Sequence, residues 1–142
     1  MKKTNVIQLM TVLTAILLGA VLIIASYDKF MNPAVFAQNI RAYHLLPDSL
    51  SPVPALFLPW LEFFTGLSLI SGLMRRAALG IAVFLFALFS FVVAYALIGG
   101  LSIDCGCGIA LLGTKVTDAK LVENIVLTSV SSLALFFYNP KK

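Results

Sequence analysis

The sequence predicts an all-α integral membrane protein, a four-helix bundle with a short interfacial helix in its first outer loop. Three observations carry this. Hydrophobic residues make up 61% of the 142 residues, against roughly 45–50% in a soluble domain. Charged residues are 11%, against about 25%, too few to cover the surface of so small a soluble protein. The apolar residues gather in four long runs without the alternation of a membrane barrel strand. Length indicates one domain over residues 1–142. Disorder is excluded by the high hydrophobicity. The pI near 9.3 does not indicate nucleic-acid binding, because the basic residues occur as singles and pairs rather than on one face.

A spanning helix needs about 20 mostly apolar residues. The first run, residues 4–27, carries no charge. Lys2 and Lys3 precede it, as in a signal peptide, but the run exceeds the apolar core of about 7–15 residues that a signal has. The second run covers residues 53–74 and contains one acid, Glu62. The third, residues 77–103, is uncharged, and the fourth, residues 121–138, begins with Glu123 and Asn124 near its start. Gly80, Ala87, Ser90 and Ala94 on the third span, and Glu62, Thr65, Gly66, Leu69 and Gly72 on the second, each share a face, and small faces let helices approach closely in lipid.

Between the first two spans, Asn32-Pro33 is a helix start signal, with Pro at the first helical position. A helix from Pro33 to about Leu46, ended by Pro47, follows. Val35, Phe36, Ile40 and Tyr43 give it an apolar side, and Gln38, Arg41 and His44 a polar one. Such a helix suits the membrane interface.

Orientation follows from Lys and Arg in the loops. Lys2, Lys3, Arg75, Arg76, Lys141 and Lys142 fall on one side of a four-span chain, and Lys29, Arg41, Lys115 and Lys120 on the other. The larger group marks the cytoplasmic side, which places both termini in the cytoplasm of a bacterial inner (plasma) membrane protein.

The loop after the third span then faces the oxidising outer side, and it contains Asp104-Cys105-Gly106-Cys107-Gly108 with both cysteines of the chain. A disulfide across Cys-x-Cys closes a very small ring, which requires a bent backbone that Gly106 permits. A strained disulfide is oxidising and labile, as suits a catalyst. It constrains the unfolded chain little, so it makes a poor staple. Two alternatives stay open: a permanently oxidised structural turn in a non-catalytic scaffold, and a soft-metal module in which the thiolates take Cu(I). No Met or His accompanies the pair, so no metal is expected.

Glu62 lies about eight residues into its span, roughly 12 Å deep. An intramembrane carboxylate marks function or finds a buried partner, and proton handling is the functional role. Asp104 either tunes Cys105 or caps the loop. Arg41, with Tyr43 and His44 beside it, provides donors and a cation at the same membrane surface, and a cation near a cysteine favours its thiolate. Arg75-Arg76 is read as a topology anchor. The sequence contains no Gly-rich phosphate loop, no zinc spacing and no Ser-His-Asp set, and its single His rules out bis-histidine haem ligation within one chain.

The chain resembles the DoxX-like superfamily and within it the MauE branch, over about residues 25–135. The resemblance rests on Tyr27-Asp28-Lys29-Phe30 with Pro33 and Phe36, on Tyr43 and Leu45-Leu46-Pro47, on Leu58-Pro59-Trp60-Leu61-Glu62, and most specifically on Asp104-Cys105-Gly106-Cys107. It implies a four-helix bundle related in plan to quinone-linked disulfide-forming enzymes such as vitamin K epoxide reductase. It also implies disulfide formation or isomerisation in a periplasmic amine dehydrogenase of methylamine utilisation, alongside a thioredoxin-like partner. A quinone cofactor is implied too; on the reading of the interfacial helix, Arg41, Tyr43 and His44 are the candidate residues to hold it. The chain departs from the family pattern where Gly108-Ile109 follow Cys107 directly, without an aromatic residue. It also has one cysteine pair where the quinone-linked enzymes have two, so exchange with a partner's thiols would be direct.

Overall fold

The computed structural model describes residues 2–101 and 118–138, with side chains from residue 5 onward. The described chain forms five helices: α1 (Lys2–Met31), α2 (Pro33–Ala42), α3 (Pro52–Ser71), α4 (Arg75–Ile98) and α5 (Asp118–Phe137). Among the described residues there is no strand. The helices α1, α3, α4 and α5 are long and apolar enough to cross a membrane. The protein is an all-α integral membrane bundle.

Successive long helices run antiparallel. α1 packs mainly on α3 and α4 on α5, while α3–α4 and α1–α5 contacts close the ring. The end where α1 and α4 finish and α3 and α5 begin is called the upper end here, and the opposite one the lower end. Leu18, Leu22, Leu69, Leu79, Leu85, Phe86 and Val93 form the core. Leu17, Leu56, Phe57, Phe84, Phe91 and Phe136 point outward and are exposed, the apolar exterior that a lipid solvent requires.

Lipid tails are as apolar as leucine, so burial alone does not drive these helices together, and close packing must. Gly19 and Gly66 supply it. A Cβ on either residue would stand 2.7 Å from the other's carbonyl oxygen. The two backbones therefore meet directly, and this crossing sets the register of α1 against α3. Hydroxyls inside the spans are satisfied locally, as in Thr128 Oγ1 donating to the Asn124 carbonyl at 2.7 Å and Ser131 Oγ to that of Leu127 at 2.7 Å.

Several expectations are corrected. The first helix runs to Met31, past Tyr27, so Asp28 and Lys29 belong to a helix and not to a loop. The helix α2 stops at Ala42, short of Leu46, because Tyr43 caps it and His44 then turns with φ 52. The helix α3 ends at Ser71, where Gly72 adopts φ 83 and stops it. The helix α4 begins at Arg75 and ends at Ile98, followed by a Gly99-Gly100 turn with Gly100 at φ 64. The expected small face of α4 is a contact surface only in part: Ser90 Oγ meets Thr128 Oγ1 of α5 at 3.5 Å, but Gly80 and Ala87 pack against no helix. Ala87 is exposed and a Cβ on Gly80 would meet nothing within 4 Å. Larger residues (Leu79, Leu85, Phe86, Phe89 and Val93) turn inward instead. On α3 the expected face is correct, with Glu62, Thr65, Gly66 and Leu69 buried.

Candidate functional site

Lys29 stands in the last turn of α1, and Glu62 lies ten residues into α3, about 15 Å along its axis. The Gly19–Gly66 crossing brings them level. Lys29 Nζ donates to Glu62 Oε2 at 2.9 Å, with the two side chains 2% and 0% exposed. Lys29 Nζ also donates to the Ala25 carbonyl at 3.3 Å. Two aromatic rings flank the same ammonium, Phe36 of α2 at 5.4 Å and Phe89 of α4 at 5.2 Å. Four helices thus converge on one buried cation.

This geometry follows from unequal helix ends. The helix α1 finishes well below the start of α3, which leaves a recess, and α2 folds over it. Phe36 and Tyr43 of the α2 segment are buried, while Gln38, Arg41 and His44 face outward. The amphipathic pattern of α2 is therefore realised, apart from Val35, which is exposed. Beside the ion pair, Phe30 meets Trp60 edge-on at 5.0 Å, and Trp60 stacks on Phe64 at 5.9 Å.

The pair is asymmetric. The ammonium donates to two acceptors, whereas Glu62 Oε1 is buried without a hydrogen-bond partner among the described residues. A buried carboxylate oxygen of this kind can accept a proton or a donor group, and uncompensated polar atoms in a membrane interior usually mark function.

A second polar group sits at the start of α5. Lys120 is buried and donates to Glu123 Oε2 at 3.1 Å. Asn124, also buried, donates from Nδ2 to the Lys120 carbonyl at 3.1 Å. Both α5 residues belong to the upper end, whereas the ion pair lies deeper, about 15 Å below the start of α3.

Of the residues singled out from sequence, Glu62 is buried in the bundle, Tyr43 is buried under α2, and Arg41 and His44 lie exposed at the end of α2. The structure does not bring Arg41 and His44 into the buried cluster. Asp104, Cys105 and Cys107 lie outside the described residues, in the stretch joining α4 to α5. Sequence reasoning missed Lys29 as a partner and Lys120 as a buried lysine. Only part of the signal for Lys29 was available: an intramembrane acid calls for a cation, and Lys29 lies two residues past the first apolar run, but nothing local places it at the depth of Glu62.

Comparison with known proteins adds three findings. The family model described as methylamine utilisation protein MauE matches residues 7–137. The methylamine utilization protein MauE of Methylophilus methylotrophus is 35% identical over 94 residues, covering 66% of this chain and 50% of that protein. The chain thus spans about half the length of this curated relative. No solved structure matches.

Proposed function

The chain belongs to the MauE family, and from that membership we propose that it is a membrane thiol–disulfide oxidoreductase serving methylamine utilisation. The observation that carries this is the placement of Cys105-Gly106-Cys107 in the stretch joining α4 to α5. That stretch is tethered at the upper end of the bundle, the end from which the Lys29–Glu62 pair is buried about 15 Å deep. Cys105 follows Leu101 by four residues, so connectivity alone holds it within about 14 Å of Leu101.

In the proposed reaction a thiolate of a thioredoxin-like or substrate protein attacks the Cys105–Cys107 disulfide and forms a mixed disulfide. The partner's second thiolate attacks its own sulfur in that bond. The partner leaves with a disulfide, and Cys105 and Cys107 remain as thiols. Two electrons have moved to the chain. Restoring its disulfide releases two electrons and two protons, and a membrane quinone is the acceptor that supplies this oxidation. Arg41 and His44 fit such a group as donors to its carbonyl oxygens, being exposed together at the end of α2, where the His44 N–H bonds the Arg41 carbonyl at 3.0 Å. Tyr43 anchors that turn from inside. Glu62, with its unpartnered Oε1, is the group that exchanges protons, and Asp104 tunes Cys105 or caps its loop. The positive-inside bias assigns the upper end to the outer face of a bacterial inner membrane and both termini to the cytoplasm.

The test is thiol exchange with a reduced thioredoxin-like protein. Cys105→Ser and Cys107→Ser should each abolish net transfer, and one of them should trap a mixed disulfide. Undiminished exchange by both variants would falsify the proposal.

A further inference from the structure

The lower end of the bundle has a charge distribution that redox chemistry does not explain. Lys2 and Lys3 open α1 there, and Arg75 and Arg76 open α4 there. The acidic residues are Asp28, Asp48, Glu62, Asp104, Asp118 and Glu123, and none falls in the stretches that form this end. Among the described residues the charge there has one sign.

At this end a groove of about 610 Å³ opens between the start of α4 and the end of α5. Its lining includes Arg75, Arg76, Ala77, Gly80, Leu135 and Tyr138, with no acid. Arg75 Nε donates to the Leu69 carbonyl at 3.2 Å, so this arginine also caps α3. Arg76, one residue on, is exposed. The first helical hydrogen bond of α4 starts from the Ala78 N–H to the Met74 carbonyl, which leaves the preceding N–H groups of α4 available at the mouth of the groove. Further in, Gly80 forms a floor without a side chain, where a Cβ would meet nothing within 4 Å. Leu135 provides an apolar wall.

The geometry points to a binding site for one anionic phospholipid, its phosphate on Arg76 and the first turn of α4 and an acyl chain along Gly80 and Leu135. Charge selects the headgroup, since a basic groove between spans at a membrane surface recognises anionic lipid. The missing side chain at Gly80 makes room for the chain. Packing does not account for this glycine, because α4 presents its larger residues to the core and leaves Gly80 uncovered.

The experiment is native mass spectrometry of the detergent-purified full chain, titrated with phosphatidylglycerol or with phosphatidylcholine of the same acyl chains. Phosphatidylglycerol should be retained preferentially. Arg76→Gln should weaken its retention roughly fivefold, and Gly80→Leu, which fills the groove, should abolish the preference while helicity by circular dichroism stays native. Glycerol 3-phosphate in excess should not displace the lipid, because the acyl chain contributes to binding. Equal retention of the two lipids overturns the site. So does undiminished phosphatidylglycerol binding by Arg76→Gln, which decides the matter even where Gly80→Leu does not fold. Full displacement by glycerol 3-phosphate also overturns it, assigning the groove to a free phosphoryl group.

Discussion

Lys29 Nζ and Glu62 Oε2 lie 2.9 Å apart inside the bundle, joining the last turn of α1 to the middle of α3 across 33 residues of sequence. Both charges are removed from solvent, and only one carboxylate oxygen is compensated. Such a pair contributes little net stability relative to apolar residues, but losing one partner is costly.

Removing either charge alone should therefore destabilise the protein by about 3–5 kcal/mol. Lys29→Met and Glu62→Gln are expected to lower the melting temperature in detergent, and Lys29→Met/Glu62→Leu to recover much of the loss. Additive losses in the double variant would show that the two side chains act independently.

The Gly19–Gly66 crossing makes a second prediction. A methyl group at either position meets the facing backbone at 2.7 Å, and backbone cannot swing aside as a flexible side chain can. Gly19→Ala and Gly66→Ala should each cost about 1–3 kcal/mol, whereas Gly80→Ala, with open space around it, should be close to neutral. Thermal melts of the three variants give the ranking, and equal effects would contradict the packing described.

Topology can be read by thiol labelling in intact cells. Once reduced, Cys105 and Cys107 should react with a membrane-impermeant maleimide from outside. A cysteine placed at Leu73, in the turn between α3 and α4, in a chain with both native cysteines replaced, should react only after the membrane is opened. Labelling in the reverse pattern would invert the assigned orientation.

Much of this fold was legible in the sequence. Four uncharged or nearly uncharged runs gave the spans, and Asn32-Pro33 gave the start of α2. The boundaries moved because charge was read as the edge of a helix. Asp28 and Lys29 interrupt the apolar run but not the hydrogen bonding of α1, since Lys29 has its own buried acceptors in Glu62 and the Ala25 carbonyl. On the small face of α4, Ser90 meets α5 while Gly80 and Ala87 do not, for a different reason. Small residues permit close approach without requiring it, and no helix covers Gly80. The Lys29–Glu62 contact was hidden because its register depends on the Gly19–Gly66 crossing, a long-range feature that no local pattern contains. Arg75 shows the same limit, being read as a topology anchor while its guanidinium also caps α3.

The most direct test of the proposed chemistry is the midpoint potential of the Cys105–Cys107 pair. It is measured by thiol alkylation and mass spectrometry of detergent-purified protein equilibrated across a glutathione redox series. A reversible two-electron couple well above the range of structural disulfides, roughly above −300 mV, is the predicted result. A pair that stays oxidised throughout the series, or one that stays reduced and copurifies with Cu(I), would contradict it, the first indicating a scaffold with a structural disulfide and the second a soft-metal module.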